Sequence, residues 1–355
     1  MPSFSLSPAE LDFLHSSLSL QPPIRPDSRG STDFRPLSAE TDILPAANGS
    51  AHLSFADGSE AIVGVKAEVE KTINRSKVNS DHGNSAPEKP SSSPSWISLT
   101  ITLPNLRDDE PSLSFLSSTL LEPLLASGLT DALPINKNWH WHLCVDILLL
   151  SPYGLTSYPV PLLSLTTHLA LLSTRLPKLK SEGEEDPLFE DDWERSTYLY
   201  ERANKGKAKG RKGLRLGLPR PPVTLLVMAV GENVLFDPSR EELAVADGVF
   251  AVSVAETTSD VGGNEAGQPG PSLRIISVRT VDSPARDTMK GVPISGESTE
   301  GVDVPGVWKP KIGGLKRSIL RDIIRIIVGS DGQPSVAREV LDGVAGFIKM
   351  ETASG

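Results

Sequence analysis

The chain has 355 residues, of which 38% are hydrophobic, and it carries 29 glycines, 30 prolines and a formal net charge of −10. Its length suits about two average domains, yet its apolar content suits one core interrupted by long solvated insertions, because segments rich in Gly, Pro and Ser bury too little surface to offset their chain entropy. The acidic balance argues against a general polyanion binder, the single Cys144 excludes an intramolecular disulfide framework or a Cys-rich zinc module, and no continuous apolar run approaches the roughly 20 residues that cross a bilayer.

Residues 1–24 read as a lead-in helix. Ser7 and Pro8 fit an N-cap followed by proline at the first helical position, and Leu11, Leu14 and Leu18 then share one face. With no basic stretch ahead of its apolar residues, and with Glu10 and Asp12 among them, this segment does not read as a secretion signal, so an intracellular chain is expected. A charged turn at 25–30 leads into strands over 35–70. Ala51, Leu53 and Phe55 alternate with polar neighbours, Asp57-Gly58 supplies a turn, and Ala61, Val63, Val65, Ala67 and Val69 line one face of a long strand.

Residues 71–94 contain almost no large apolar side chain and read as a flexible insertion. A strand resumes over 96–103 on Trp96, Leu99 and Ile101. Asp108, Asp109 and Pro111 mark the start of a helix carrying Leu113, Leu116, Leu120 and Leu124, which Pro123 is expected to bend or shorten. Residues 139–150 form the most strand-like stretch, and the apolar run at its end predicts a strand covered on both faces. A further helix is expected over 159–174. The segment 181–221 reads as a charged insertion, acidic over 182–194 and basic over 202–215. Strands return over 223–230, 234–236 and 249–254. A soft region over 256–314 surrounds one strand-like piece at 273–278, and two amphipathic helices close the chain, on Ile319, Ile323 and Ile327 and then on Val336, Val340, Val344 and Phe347. The class is α+β, or mixed α/β, with a single core.

Candidate chemistry is sparse. His140 and His142, two apart on a strand, point the same way, a spacing that metal sites use and that buried structural histidines share. No third ligand accompanies them at a diagnostic spacing, and no metal or other cofactor is expected. Asp237, Glu241, Glu242 and Asp247 cluster beside a strand end, where acids bind magnesium, share a proton or simply sit in solvent. The basic tract that includes Lys205, Lys207, Lys209, Arg211 and Lys212 suits an RNA-contacting arm, a nuclear-import signal or a solvated linker that balances the preceding acids.

Several motifs in order carry a resemblance. Arg25-Pro26-Asp27-Ser28-Arg29, Asp33-Phe34-Arg35-Pro36-Leu37, Asn48-Gly49-Ser50-Ala51 and the strand from Ala61 to Glu68 resemble the opening of an RNase PH-type domain. The stretch 141–150, Ser173-Thr174-Arg175-Leu176-Pro177, and Asp237-Pro238 followed by Glu241-Glu242 are similar to later parts of that family, in its branch of non-catalytic exosome ring subunits. The likeness covers residues 25–70, 96–180 and 222–255. It implies a single RNase PH-like domain, related in fold to ribosomal protein S5 domain 2. Its first half would occupy 25–180 and its second half 222–349, with insertions at 71–94, 181–221 and 256–314.

The resemblance further implies a protein that works in an assembly. Such subunits pair side by side with another RNase PH-like subunit, and three pairs close a ring. RNA passes through its channel to a separate catalytic nuclease, and cap subunits with RNA-binding domains sit on one face. The implied role is support of 3′ to 5′ RNA degradation and ribosomal RNA processing in nucleus, nucleolus and cytoplasm, without membrane contact.

Departures from the active members of the family bear on catalysis. Their phosphate loop ends in Ser or Thr and Arg; here the corresponding residues 151–158, with Gly154 and Thr156, include no arginine, so a phosphate dianion lacks its charge-assisted fork. Where active relatives place spaced arginines for RNA, only Arg107 stands, followed by Asp108, Asp109 and Glu110. Asp237, Glu241 and Glu242 would be the acid side of a degenerate site, so the expectation is a pseudoenzyme, with a phosphate-dependent exoribonuclease as the alternative.

Overall fold

The computed structural model describes residues 6–72, 92–104, 106–152, 158–181, 183, 185–200, 218–257, 272–281, 315–329 and 334–354, the last seven of these by backbone alone. Helix α1 (Pro8–Ser19) opens with a capping box. The Ser7 hydroxyl accepts from the Glu10 amide at 3.3 Å and the Glu10 carboxylate accepts from the Ser7 amide at 2.7 Å, which supplies partners for N-terminal donors that a helix leaves unpaired. Strands β1 (Leu37–Thr41), β2 (Gly49–Phe55), β3 (Glu60–Lys71), β4 (Ile97–Thr102) and β5 (Trp139–Leu150) form a five-stranded sheet in the order β1-β2-β3-β5-β4, with only the β4–β5 pair parallel. The turn between β2 and β3 sits where Asp57-Gly58 predicted it, with Gly58 at φ +81°, a conformation that costs glycine little.

Helix α2 (Pro111–Ala126) packs on β4 and on strands from the second half of the chain at 248–257 and 272–281, and α3 (Val160–Ser173) lies between β2 and β3 on one side and the strand Val223–Val230 on the other. Every residue of α3 is buried, so this helix is the centre of the core. Its Thr166 and Thr167 hydroxyls donate to carbonyls one turn back, which keeps polar groups satisfied without water. After a short ribbon of β6 (Arg175–Leu176) and β7 (Thr197–Tyr198), strands β8 (Val223–Val230), β9 (Asn233–Phe236), β10 (Gly248–Thr257) and β11 (Ser272–Val281) form a four-stranded sheet in the order β11-β10-β8-β9, with helix α4 (Arg240–Leu243) after β9. All eight residues of β8 are buried. Helices α5 (Arg317–Val328) and α6 (Val336–Ser354) pack on each other, and α1, α5 and α6 all touch this second sheet. No described helix is long and apolar enough to cross a membrane.

Four expectations change. Trp96 belongs to a 3₁₀ turn, Pro94–Trp96, and β4 begins at Ile97, because Ile97, Leu99 and Ile101 are the residues that alternate inward. Pro123 does not end α2, which continues to Ala126 with Pro123 itself buried. β5 is not covered on both faces: Leu143, Val145, Ile147 and Leu149 are buried, whereas Asp146, Leu148 and Leu150 face outward and exposed. The solvated stretch expected over 181–221 does not hold for residues 185–200, where Phe189 packs on Trp141 with ring centres 5.0 Å apart and Leu199 and Tyr200 are buried.

Candidate functional site

β4 and β5 run parallel with Thr102 beside Leu148, so the chain leaves both strands at the same end of the sheet. Glu60 pairs with Leu150, which brings the β2–β3 turn to that end as well. Arg107, Ser151 at the end of β5 and the Asp57 turn therefore share one edge of the molecule.

Arg35 links this edge to the second half of the chain. Its Nη1 donates to Asp57 Oδ2 at 2.6 Å, its Nη2 to Asp237 Oδ1 at 2.7 Å, and its Nε and backbone amide both donate to Asp237 Oδ2 at 2.9 and 2.8 Å. Burial alone would lower the Arg35 pKa, but hydrogen bonding and charge pairing to Asp237 and Asp57 raise it above the ordinary value. Asp237 is fully buried at φ +47°, a left-handed conformation that Asp tolerates better than most residues, and Arg29 Nη1 adds a further bond to its Oδ2 at 3.1 Å.

Arg25 makes the companion link. Its Nε and Nη2 fork onto the two carboxylate oxygens of Glu242, each at 2.8 Å, and its remaining protons go to the carbonyls of Gly30, Phe236 and Asp237 at 3.1 Å. All the donors of a guanidinium are thereby used. Both side chains are fully buried, and Glu242 also caps α4 by accepting from the Ser239 amide at 2.7 Å.

Asp237 and Glu242 are therefore not solvated loop acids. Each is neutralised by arginine from the first motifs. Asp247, the fourth acid of the cluster, accepts from the Gly231 amide at 2.7 Å and faces His15 at 3.8 Å, and half-buried Glu241 lies on the short helix α4.

A second pair of motifs interlocks in the same way. Asn48 Oδ1 accepts from the Ala67 amide at 2.9 Å, its Nδ2 donates to the Arg175 carbonyl at 3.1 Å, and its carbonyl accepts from the Arg175 amide at 2.8 Å. The Ser173 hydroxyl accepts from the Ser50 amide at 3.0 Å and donates to the Ser50 carbonyl at 3.1 Å. Gly49 lies so close to the end of α3 that a Cβ there would sit 2.5 Å from the Thr174 Cα, which explains the glycine.

Among known proteins, the 3′ exoribonuclease family, domain 1 model, that of RNase PH, matches residues 33–177. Exosome complex component RRP42 of Saccharomyces cerevisiae is 33% identical over 257 residues, covering 70% of this chain and 81% of the yeast protein. The chain belongs to this exosome-component family of RNase PH type. Exosome complex component rrp42 of Schizosaccharomyces pombe is 32% identical over 267 residues, covering 70% of this chain and 78% of that protein. A solved chain of the Archaeoglobus fulgidus exosome with RNA bound to the active site is 19% identical, with a TM-score of 0.47 over 79% of this chain and 91% of that one.

Of the site residues expected for this family, Gly154 and Thr156, and the basic residues Lys205, Lys207, Lys209, Arg211 and Lys212, lie outside the described residues. Arg107 is 86% exposed and its Nε pairs with Asp109 Oδ1 at 3.2 Å, so its charge is offset at the surface. His140 and His142 face Glu70 at 3.7 and 3.1 Å, while His140 stacks on Trp96 with ring centres 4.3 Å apart. Burial lowers the His140 pKa, opposed by the Glu70 charge. No group of three or more His, Cys, Asp or Glu among the described residues is arranged to hold a metal ion.

The partnership of Arg25, Arg29 and Arg35 with Asp237 and Glu242 was not legible in the sequence, although both motifs were. So was it with Arg220, whose Nε donates to Glu256 at 3.0 Å and whose Nη1 donates to Asp342 at 2.8 Å, tying α6 to β10, and with Arg279, which pairs with Glu122 to tie β11 to α2.

Proposed function

We propose that this chain is a non-catalytic, architectural member of the exosome ring that supports 3′ to 5′ RNA degradation and ribosomal RNA processing in nucleus, nucleolus and cytoplasm. It pairs with one RNase PH-like subunit as a direct heterodimer partner and with other ring subunits beyond it. Cap subunits and a separate nuclease complete the assembly, and RNA crosses the channel that the ring encloses.

The observation that carries this reading is the engagement of Asp237 and Glu242. Phosphorolysis needs a cationic pocket for inorganic phosphate, and charge stabilisation where the oxyanion develops. The arginines nearest the family's acids are spent on those acids: Arg25 is buried against Glu242, and Arg29 and Arg35 hold Asp237. The loop at 151–158 supplies no arginine or lysine in their place. Arg107 is followed by three acids, which disfavour a phosphodiester at the same edge. What remains is a domain whose halves are bound tightly to each other, the property that a ring member needs.

The test is purification of the tagged protein from its own cells at moderate salt. Stoichiometric recovery of other RNase PH-like exosome subunits is expected; elution as a free monomer contradicts the proposal.

A further inference from the structure

Several apolar side chains of the described surface are exposed, and three of them, Phe13, Leu20 and Ile24, lie on or just after α1. On α1, Leu11, Leu14 and Leu18 are buried, while Phe13, about half a turn away around the helix, is 75% exposed. Leu20, which caps the C-terminal end of α1, is 51% exposed. The chain then turns back. The Ile24 amide donates to the Ser17 carbonyl at 3.1 Å and the Ser17 hydroxyl donates to the Phe13 carbonyl at 2.9 Å, which sets Ile24, 60% exposed, beside the C-terminal end of α1.

This patch is held on a rigid support. The capping box fixes one end of α1, and the side-chain amide of Asn233 on β9 fixes the other by donating to the Leu18 and Leu20 carbonyls at 2.8 and 2.6 Å. A preorganised aromatic side chain flanked by aliphatic ones is the form that energetic centres of protein interfaces take. Its charge is of one sign: residues 1–24 include Glu10 and Asp12 and no lysine or arginine.

We propose that the surface of Phe13 on α1, with Leu20 and Ile24 just after it, docks into an apolar hollow rimmed by lysine or arginine on an adjacent RNase PH-like subunit of the ring. This inference rests on the ring reading above. The charge pattern decides between occupants. A second copy of this chain would meet the patch through a two-fold axis, with each patch facing itself. Glu10 and Asp12 would then oppose their own copies without a cation from the segment to offset them, and like charges across an interface disfavour the wrong partner. A different subunit with a basic rim carries no such penalty.

The experiment places the photoreactive residue benzoylphenylalanine at position 13 of the tagged full-length chain in its own cells, irradiates, and identifies the cross-linked protein by mass spectrometry. One RNase PH-like ring subunit is expected. Cross-linking to a second copy of this chain, to a protein outside the ring, or to nothing overturns the proposal. In parallel, Phe13→Glu with Leu20→Glu is expected to leave melting of the purified chain unchanged and to lower recovery of that subunit about tenfold or more. If the wild-type chain recovers its ring partners and the variant recovers them equally, the docking face is wrong and the ring reading stands. If the wild-type chain recovers none, both fail.

Discussion

Two charged regions of the molecule use the same residue types to opposite ends. Where the first and second halves meet, Arg25, Arg29 and Arg35 close on Glu242 and Asp237 with both carboxylates fully buried. At the edge where β4 and β5 end, Arg107 stands in solvent beside Asp109, and Asp108 and Glu110 flank the pair. A buried pair cannot lose one member without stranding the other in a low-dielectric interior, whereas an exposed pair is screened by water and contributes little. The motifs by which the family is recognised thus act here as fasteners of the fold, whereas Arg107, the one arginine of the described residues 103–110, stands in solvent beside acids.

The largest expected effect tests that contrast directly. Glu242→Ala strands the Arg25 guanidinium and should lower unfolding free energy by about 3–5 kcal/mol in a denaturant titration. A loss below about 1 kcal/mol would mean that water reaches Arg25 and that the buried link is not structural.

Next comes the core itself. His168 is fully buried on α3, and burial pulls its pKa down to about 4, with the nearby Arg220 charge acting the same way and the Pro221 and Pro222 backbone opposing. The unfolded chain binds this proton near pH 6.5 and the folded chain does not until about pH 4, so stability is fully present above pH 6.5 and falls as pH drops between those values, by about 3 kcal/mol in all. Comparing denaturant midpoints of wild type and His168→Leu from pH 7 to 4.5 isolates this contribution from that of the carboxylates. The variant should show the shallower pH dependence, and parallel curves would contradict the assignment.

Gly49→Ala should cost about 1–3 kcal/mol, since the new methyl meets Thr174 backbone atoms that have no free side-chain end to move aside. Smallest is Arg107→Ala. Its thermal midpoint should shift by no more than a change of about 0.5 kcal/mol implies, and the salt dependence of RNA binding by the assembled complex should be unaltered. A slope reduced by about 0.7 would instead mark Arg107 as a phosphate contact and erase the contrast between the two regions.

Much of the fold was legible because its signals are local. The alternation from Ala61 to Val69, the stripe of Leu113, Leu116, Leu120 and Leu124, and the Ser7-Glu10 capping box each need only neighbouring residues to be read. The open face of β5 was not legible, because Leu148 and Leu150 are apolar whether or not anything covers them. The packed stretch at 185–200 was hidden by its acids, which outnumber Phe189, Leu199 and Tyr200 although those three reach the core or its edge. At the site, the absence of arginine from 151–158 was plain in the sequence, whereas the partners of Asp237 and Glu242 lie about two hundred residues away along the chain, a distance that no spacing rule spans.

The most direct test of a non-catalytic ring member is to supply the purified chain, alone and assembled with its RNase PH-like neighbour, with end-labelled RNA and inorganic phosphate, and to follow nucleoside diphosphates. Where the folded assembly persists, activity of the pair should be the same with wild type and with Glu242→Gln, and the chain alone should release none. Phosphate-dependent release by the chain alone, or release from the pair that is abolished by Asp237→Asn while the folded assembly persists, would contradict the account.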